Sequence, residues 1–246
     1  MKKLKKYQSE LVKWAGLLLV IIIFGVWSEG NLFSEYNINS MIETVTPLVI
    51  ACLGMSFIFA HGGMDISSGA VVAVAAYVAV ISMNKTGSII VGIVLAMLMA
   101  MACYLINAVV TNKFGLMATI TSLAIMFSAR GFVTYMCQLT PNESISISAV
   151  DVTVFKKNHG FMLVMIALTI IILGIVFNYT RIGKGARAIG DNEVSARQNG
   201  VRIDRTKYIC YLIAGICVGI AAVYKMCATG MVQSTTGNGF EMDILV

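Results

Sequence analysis

A chain of 246 residues that is 58% hydrophobic and 12% charged, with mean hydropathy +0.85 and a formal net charge of +6, lies far from the composition of soluble globular domains. One large soluble core is excluded too, because the apolar residues arrive in runs of about 18 to 22, the length that crosses a roughly 30 Å hydrocarbon layer. The alternating pattern of a membrane barrel is missing, so the fold is expected to be all-α, a polytopic bundle of transmembrane helices.

The chain opens on MKKLKK and a first apolar run over 11–28. A signal peptide would also begin this way, but no small-residue cleavage site follows Trp27 and further spans come after it. Trp14 and Trp27 suit the two interfaces that bound this run. Six more spans are expected over 42–60, 66–83, 89–110, 116–137, 160–179 and 208–227, about seven in all. Between them lie short connectors, a longer loop over 138–159 and a basic loop over 180–207. No linker divides the chain, which reads as a single transmembrane domain over 1–246.

Positive charge sets the orientation. With the N-terminus in the cytoplasm, 13 of the 18 basic residues fall inside: Lys2, Lys3, Lys5, Lys6, Lys13, Lys113 and seven in the basic loop. Lys85, Lys156 and Lys157 fall outside, while Arg130 and Lys225 belong to spans.

The segment AHGGMDISSGA, residues 60–70, places polar groups between two spans. Gly62, Gly63 and Gly69 suit unwound backbone or close helix contact. Asp65 is costly at membrane depth and should face protein, water or a helix N-terminus. Asp65, Ser67 and Ser68 are also N-cap types ahead of the next apolar run. An ordinary turn and a broken transport helix both remain open. Asn107 in the fourth span, with Thr119, Thr121 and Ser122 in the fifth, offers bonds to a solute hydroxyl or across helices. Arg130, about 10 Å from the outer end of its span, either snorkels or pairs with a carboxylate lining a pathway.

Six cysteines sit in or beside apolar runs without a CxxC pair and read as packing residues. His61 and His159 lack the spacing of a zinc site, and nucleophile elbows, Walker A sequences and dinucleotide fingerprints are missing. Neither catalysis nor a metal site is expected. The loop over 180–207 holds seven basic residues against Asp191, Glu193 and Asp204, and reads either as a docking surface or as a plain cytoplasmic loop.

Several stretches resemble one family. GGMDISSGAVVAVAAYVA resembles the "GxDLSxG" region of ribose-type permeases of ATP-binding-cassette importers, and LMATITSLAIMFSARGF is similar to the segment that follows it. TRIGKGARAIGDNEVSARQNGVRIDRTKYICYLIAGICVGIAAV is similar to the family's cytoplasmic loop and next span, and TGNGFEMDILV to the opening of its "aGxGyELdaIAAVVLGG" segment. The matches run in order from about residue 42 to 246.

The resemblance implies an inner-membrane permease subunit that imports a monosaccharide or related small polar solute. Its implied partners are an ATPase subunit on the cytoplasmic side, a second permease subunit, an extracytoplasmic solute-binding protein and membrane lipids, without nucleic acid. No cofactor is expected on this chain, since ATP-Mg would belong to the ATPase. The family's E-x-x-A-x-x-x-G pattern falls on Glu193, Ala196 and Gly200 and implies a coupling helix. Asp191 and Asn192 are N-cap types before it, Glu193 favours the helix dipole, small Ala196 would admit a partner, and Gly200 would end the turn. Arg187 and Arg197 are expected to meet ATPase carboxylates or anionic headgroups.

The family fold has about ten spans, so the chain reads as C-terminally truncated, with Glu241 and Asp243 expected to lack their structural context. An ion-coupled secondary transporter and a truncated, non-transporting remnant are the alternatives.

Overall fold

The computed structural model describes residues 2–245, with the side chains of 2–11, 156 and 157 outside that description. Expectations placed on Lys2, Lys3, Lys5, Lys6, Lys156, Lys157 and Val246 therefore lie outside the described residues. The chain divides into two compact units, residues 1–42 and 43–246, where the sequence reads as one domain.

The first unit holds helix α1 (Lys2–Trp27), a 3-10 turn (Asn31–Phe33) and the start of α2 (Glu35–Ala60). From Leu17 to Phe24 every side chain of α1 is largely exposed, an apolar surface suited to lipid or a partner. The Ser34 hydroxyl accepts a hydrogen bond from Asn37 N at 3.3 Å, which caps α2 and starts it seven residues before the expected span.

The second unit continues with α3 (Ser68–Thr86), α4 (Ile89–Phe114), α5 (Ala118–Gln138), α6 (Thr153–Lys157), α7 (His159–Tyr179), α8 (Arg181–Asp191), α9 (Glu193–Gln198), α10 (Ile203–Thr229) and α11 (Phe240–Leu245). Among the described residues, α2, α3, α4, α5, α7 and α10 are long and apolar enough to cross a membrane. The remaining expected span coincides with α1, whose described apolar stretch is Val12–Trp27.

Small residues place the core. Gly215 and Gly219, one turn apart on α10, lie against the backbone of α4: a Cβ there would stand 2.8 Å from Met101 Cα and 2.6 Å from Met97 Cα, respectively. This small-xxx-small contact brings two helices to backbone distance, where dispersion replaces the hydrophobic drive that lipid removes. Gly54 of α2 lies against the Cys217 side chain and Ala214 Cα of α10, where a Cβ would stand 2.4 Å and 3.3 Å away. Helix α3, rich in Ala and Val, packs on α4, α5 and α10 and is buried along most of its length. By contrast, α7 buries only Met162 and presents a bulky Ile/Leu surface.

β1 (Ser144–Ser146), inside the expected loop over 138–159, pairs antiparallel with β2 (Met231–Gln233). Asn84 at the end of α3 holds the same loop, donating to Ser146 O at 2.8 Å and accepting from Ser148 N at 2.9 Å.

Candidate functional site

Helix α2 stops at Ala60, Gly62 turns the chain at φ +82°, and residues 61–67 run without helix until α3 begins at Ser68. His61, Asp65 and Ser67 of this irregular stretch are buried, where a polar group needs a partner, while Gly62 and Met64 are exposed. Asp65 is 1% exposed and organises it. Its Oδ1 accepts from Ser67 N and Ser67 Oγ, both at 2.7 Å, and its Oδ2 accepts from Asn107 Nδ2 at 2.5 Å. Ile66 N donates to Ser122 Oγ at 3.2 Å, which fastens the break to α5. Asn107 lies three residues before the end of the apolar run over 89–110, so the break meets α4 near that end.

The segment is a helix break whose buried carboxylate is held by Ser67 and Asn107. Ser67 is the N-cap of α3, but its hydroxyl goes to Asp65 rather than to the helix backbone. Asn107 bonds across helices, while its Oδ1 and Ser68 Oγ stay buried without a protein partner among the described residues. Thr119 is half-buried in the first turn of α5, its carbonyl accepting from Ser122 Oγ at 2.9 Å. A Cβ at Gly63 would stand 2.7 Å from the His61 ring, and one at Gly69 would collide with the Glu241 carboxylate and the Gly237 carbonyl.

That last contact corrects the expectation for the C-terminal segment. After β2 the chain returns to α3 and α5, where Arg130 Nη2 meets Glu241 Oε1 at 2.7 Å and Arg130 also donates to Asn238 Oδ1. Phe240 and Ile244 of α11 are buried against the same core, so Glu241 has a structural context, while Asp243 remains exposed. Arg130 therefore pairs with a carboxylate rather than snorkelling. Arg130→Gln is expected to lower stability by about 2–3 kcal/mol, because it leaves a mostly buried carboxylate unpaired. Adding Glu241→Gln should recover most of that loss, read as the melting temperature of the detergent-purified protein.

The basic loop is largely helical. Helix α8 turns Gly183, Gly185, Ala186 and Ile189 inward and Arg181, Lys184 and Arg187 outward. Asn192 caps α9, its Oδ1 accepting from Ser195 N at 2.9 Å, and Gly200 at φ +81° closes the turn, both as expected. Asp191 ends α8 instead of capping α9. Glu193 opens α9 and binds Lys207 Nζ at 2.8 Å and Arg197 at 3.4 Å. The hydrogen bond and charge of Lys207 hold its carboxyl below the usual carboxylate range.

Ala196 is a correction: it is 3% exposed and packs on Ile189 and Ile203, so its small side chain fits α9 to this chain rather than admitting a partner. The outward face carries Glu193, Arg197 and Val194, the last 68% exposed. Arg187 stacks over Phe177 at 5.1 Å and donates to its carbonyl at 3.3 Å.

Sequence reasoning missed how these parts join. A Cβ at Gly190 would collide with the Ala60 carbonyl, so the end of α8 rests on the end of α2, where the break begins. A glycine between Ile189 and Asp191 carried no signal of that contact beyond its size.

Residues 37–246 match the family described as the permease component of the branched-chain amino acid transport system. The chain belongs to this permease family. It is 31% identical to the L-arabinose transport system permease of Escherichia coli over 239 residues, covering 96% of this chain and 71% of that one. To the fructose import permease FruG of Bifidobacterium longum it is 26% identical, covering 92% and 70%. The ribose import permease of Escherichia coli is 24% identical, covering 98% and 76%. No solved structure matches the chain. This permease is a multi-pass protein of the cell's inner membrane, and a component of a transport system.

Proposed function

We propose that this permease is the membrane subunit of an importer driven by a separate ATP-binding-cassette ATPase, and that its solute is a monosaccharide or close polyhydroxylated relative. The observation that carries the reading is the line of contact from α9 through α8 to the helix break. The exposed Glu193, Val194 and Arg197 offer a charged and apolar face of the kind a partner groove receives. Behind it, Ala196 and Ile189 lock α9 to α8, and Gly190 presses on Ala60. A push on α9 is thus delivered to the end of α2 and to the Asp65 network, and rocks those helices between inward and outward openings.

The named relatives support the sugar class; fructose, ribose and L-arabinose are the solutes in their names. In this reading ATP-Mg is bound and hydrolysed by the ATPase, a second permease subunit completes the pathway, and an extracytoplasmic binding protein delivers the solute to the outer loops.

Glu193→Lys tests the reading. It reverses charge on the docking face and breaks both ion pairs of Glu193, so ATPase association should fall at least tenfold on the scale of buried interface charges. Membrane insertion should be unchanged. Uptake into vesicles should require ATP and survive dissipation of ion gradients. Undiminished association, or uptake that stops with the ion gradient, overturns the proposal.

A further inference from the structure

A cavity of about 840 Å³ opens between α8 and the first turns of α10, apart from the outward face of α9. Arg181, Lys184, Arg202 and Arg205 line it, and none of its lining residues is acidic. Its floor is apolar, built from Ile182, Ala188, Val201 and Ile209. The ion pairs of the described residues, at Arg130, His159, Arg197 and Lys207, involve none of these four cations. All four are exposed at the surface, while Thr206 beside them is buried. Like charges around one groove repel one another unless an anion lies among them.

The position of the groove selects the anion. Helix α8 starts two residues after the last residue of α7, and Ile209 lies where the charged first turns of α10, with Arg205 and Lys207, give way to its apolar run. The groove therefore straddles the level at which spans leave the bilayer, with its cations toward the cytoplasm and its apolar floor toward the acyl region. We propose that it holds the phosphodiester headgroup of an anionic phospholipid from the cytoplasmic leaflet. Three arginines supply planar donors matched to phosphate oxygens, and Lys184 adds a point charge. A basic recess between span ends on the cytoplasmic side suits such a headgroup. Arg187 and Arg197, expected from sequence to meet ATPase carboxylates or anionic headgroups, are engaged with Phe177 and Glu193. An acidic segment of a protein partner is the rival occupant; it explains the charge but not the apolar floor beside the start of the α10 apolar run.

The test uses the full chain in bilayers of phosphatidylcholine alone or mixed equally with phosphatidylglycerol, followed by native mass spectrometry after gentle extraction. Wild type should retain phosphatidylglycerol and melt at a higher temperature in the mixed bilayer. Arg202→Gln with Arg205→Gln should weaken retention about thirtyfold, each cation near the surface contributing on the order of tenfold or less. The same variant should melt as wild type in phosphatidylcholine alone, which separates lost binding from lost folding. Lys113→Gln, outside the groove, should retain the lipid. The proposal is overturned if the double variant retains phosphatidylglycerol as wild type does, if Lys113→Gln loses it equally, or if inorganic phosphate reproduces the thermal shift. A double variant that keeps the lipid and loses only ATPase association overturns it in favour of the protein partner. Because lipid retention is read without any ATPase, failure here leaves the transport reading standing, and failure of Glu193→Lys leaves the lipid site standing.

Discussion

Gly219→Leu is expected to leave almost no folded permease. The position lies on α10 where a Cβ would stand 2.6 Å from Met97 Cα and 3.1 Å from Met97 N, so the obstacle is backbone rather than a flexible side chain. No rotamer change relieves it; α4 and α10 must separate, and the core cluster that includes Ala96, Ala100, Ala214 and Val218 loses its packing together. Overpacking of side chains alone costs about 1–3 kcal/mol, and a backbone clash shared by two central helices exceeds that. Fluorescence size-exclusion of the tagged protein should show aggregate in place of a monodisperse peak. Gly174→Leu is the control: nothing lies within 4 Å of a Cβ at that position on α7, and yield should match wild type. Equal behaviour of the two variants would show that α4 and α10 do not meet in this way.

Asp65 should tolerate one isostere and fail with another. Asp65→Leu strips the acceptors from Ser67 N, Ser67 Oγ and Asn107 Nδ2, three donors buried in the break. At about 1–3 kcal/mol for each buried group left unsatisfied, the cost is a large fraction of total stability, and uptake should vanish with it. Asp65→Asn is different because Asn107 Oδ1 has no partner. Turning the Asn107 amide over presents that oxygen to the new Nδ2, while the new Oδ1 still serves Ser67. The variant should therefore fold and retain most of its uptake. If Asp65→Asn were as damaging as Asp65→Leu, charge rather than hydrogen bonding would be what the site requires.

The approximate placement of six of the seven expected spans was legible because a run of about 20 apolar residues has few other uses. Which helices are central was not. The α3 sequence, VVAVAAYVAV, and that of α7, FMLVMIALTIIILGIVF, are both apolar on every face, yet α3 is buried and α7 exposed. Size distinguishes them after the fact, since Ala and Val permit close approach and Ile and Leu do not. The N-cap at Asn192 and the turn at Gly200 followed from local backbone chemistry and were visible. The orientation of Ala196, the Arg130 to Glu241 pair and the contact of Gly190 with Ala60 join residues from about 7 to 130 positions apart, for which a single sequence carries no signal.

Labelling of Val194→Cys tests most directly whether the α8 and α9 segment is the cytoplasmic seat of a motor subunit. A membrane-impermeant maleimide applied to intact cells should add nothing to the background of the six native cysteines. It should label the new thiol once the membrane is opened, and added ATPase subunit should shield it. Labelling in intact cells, or labelling unaffected by the ATPase, would contradict the account.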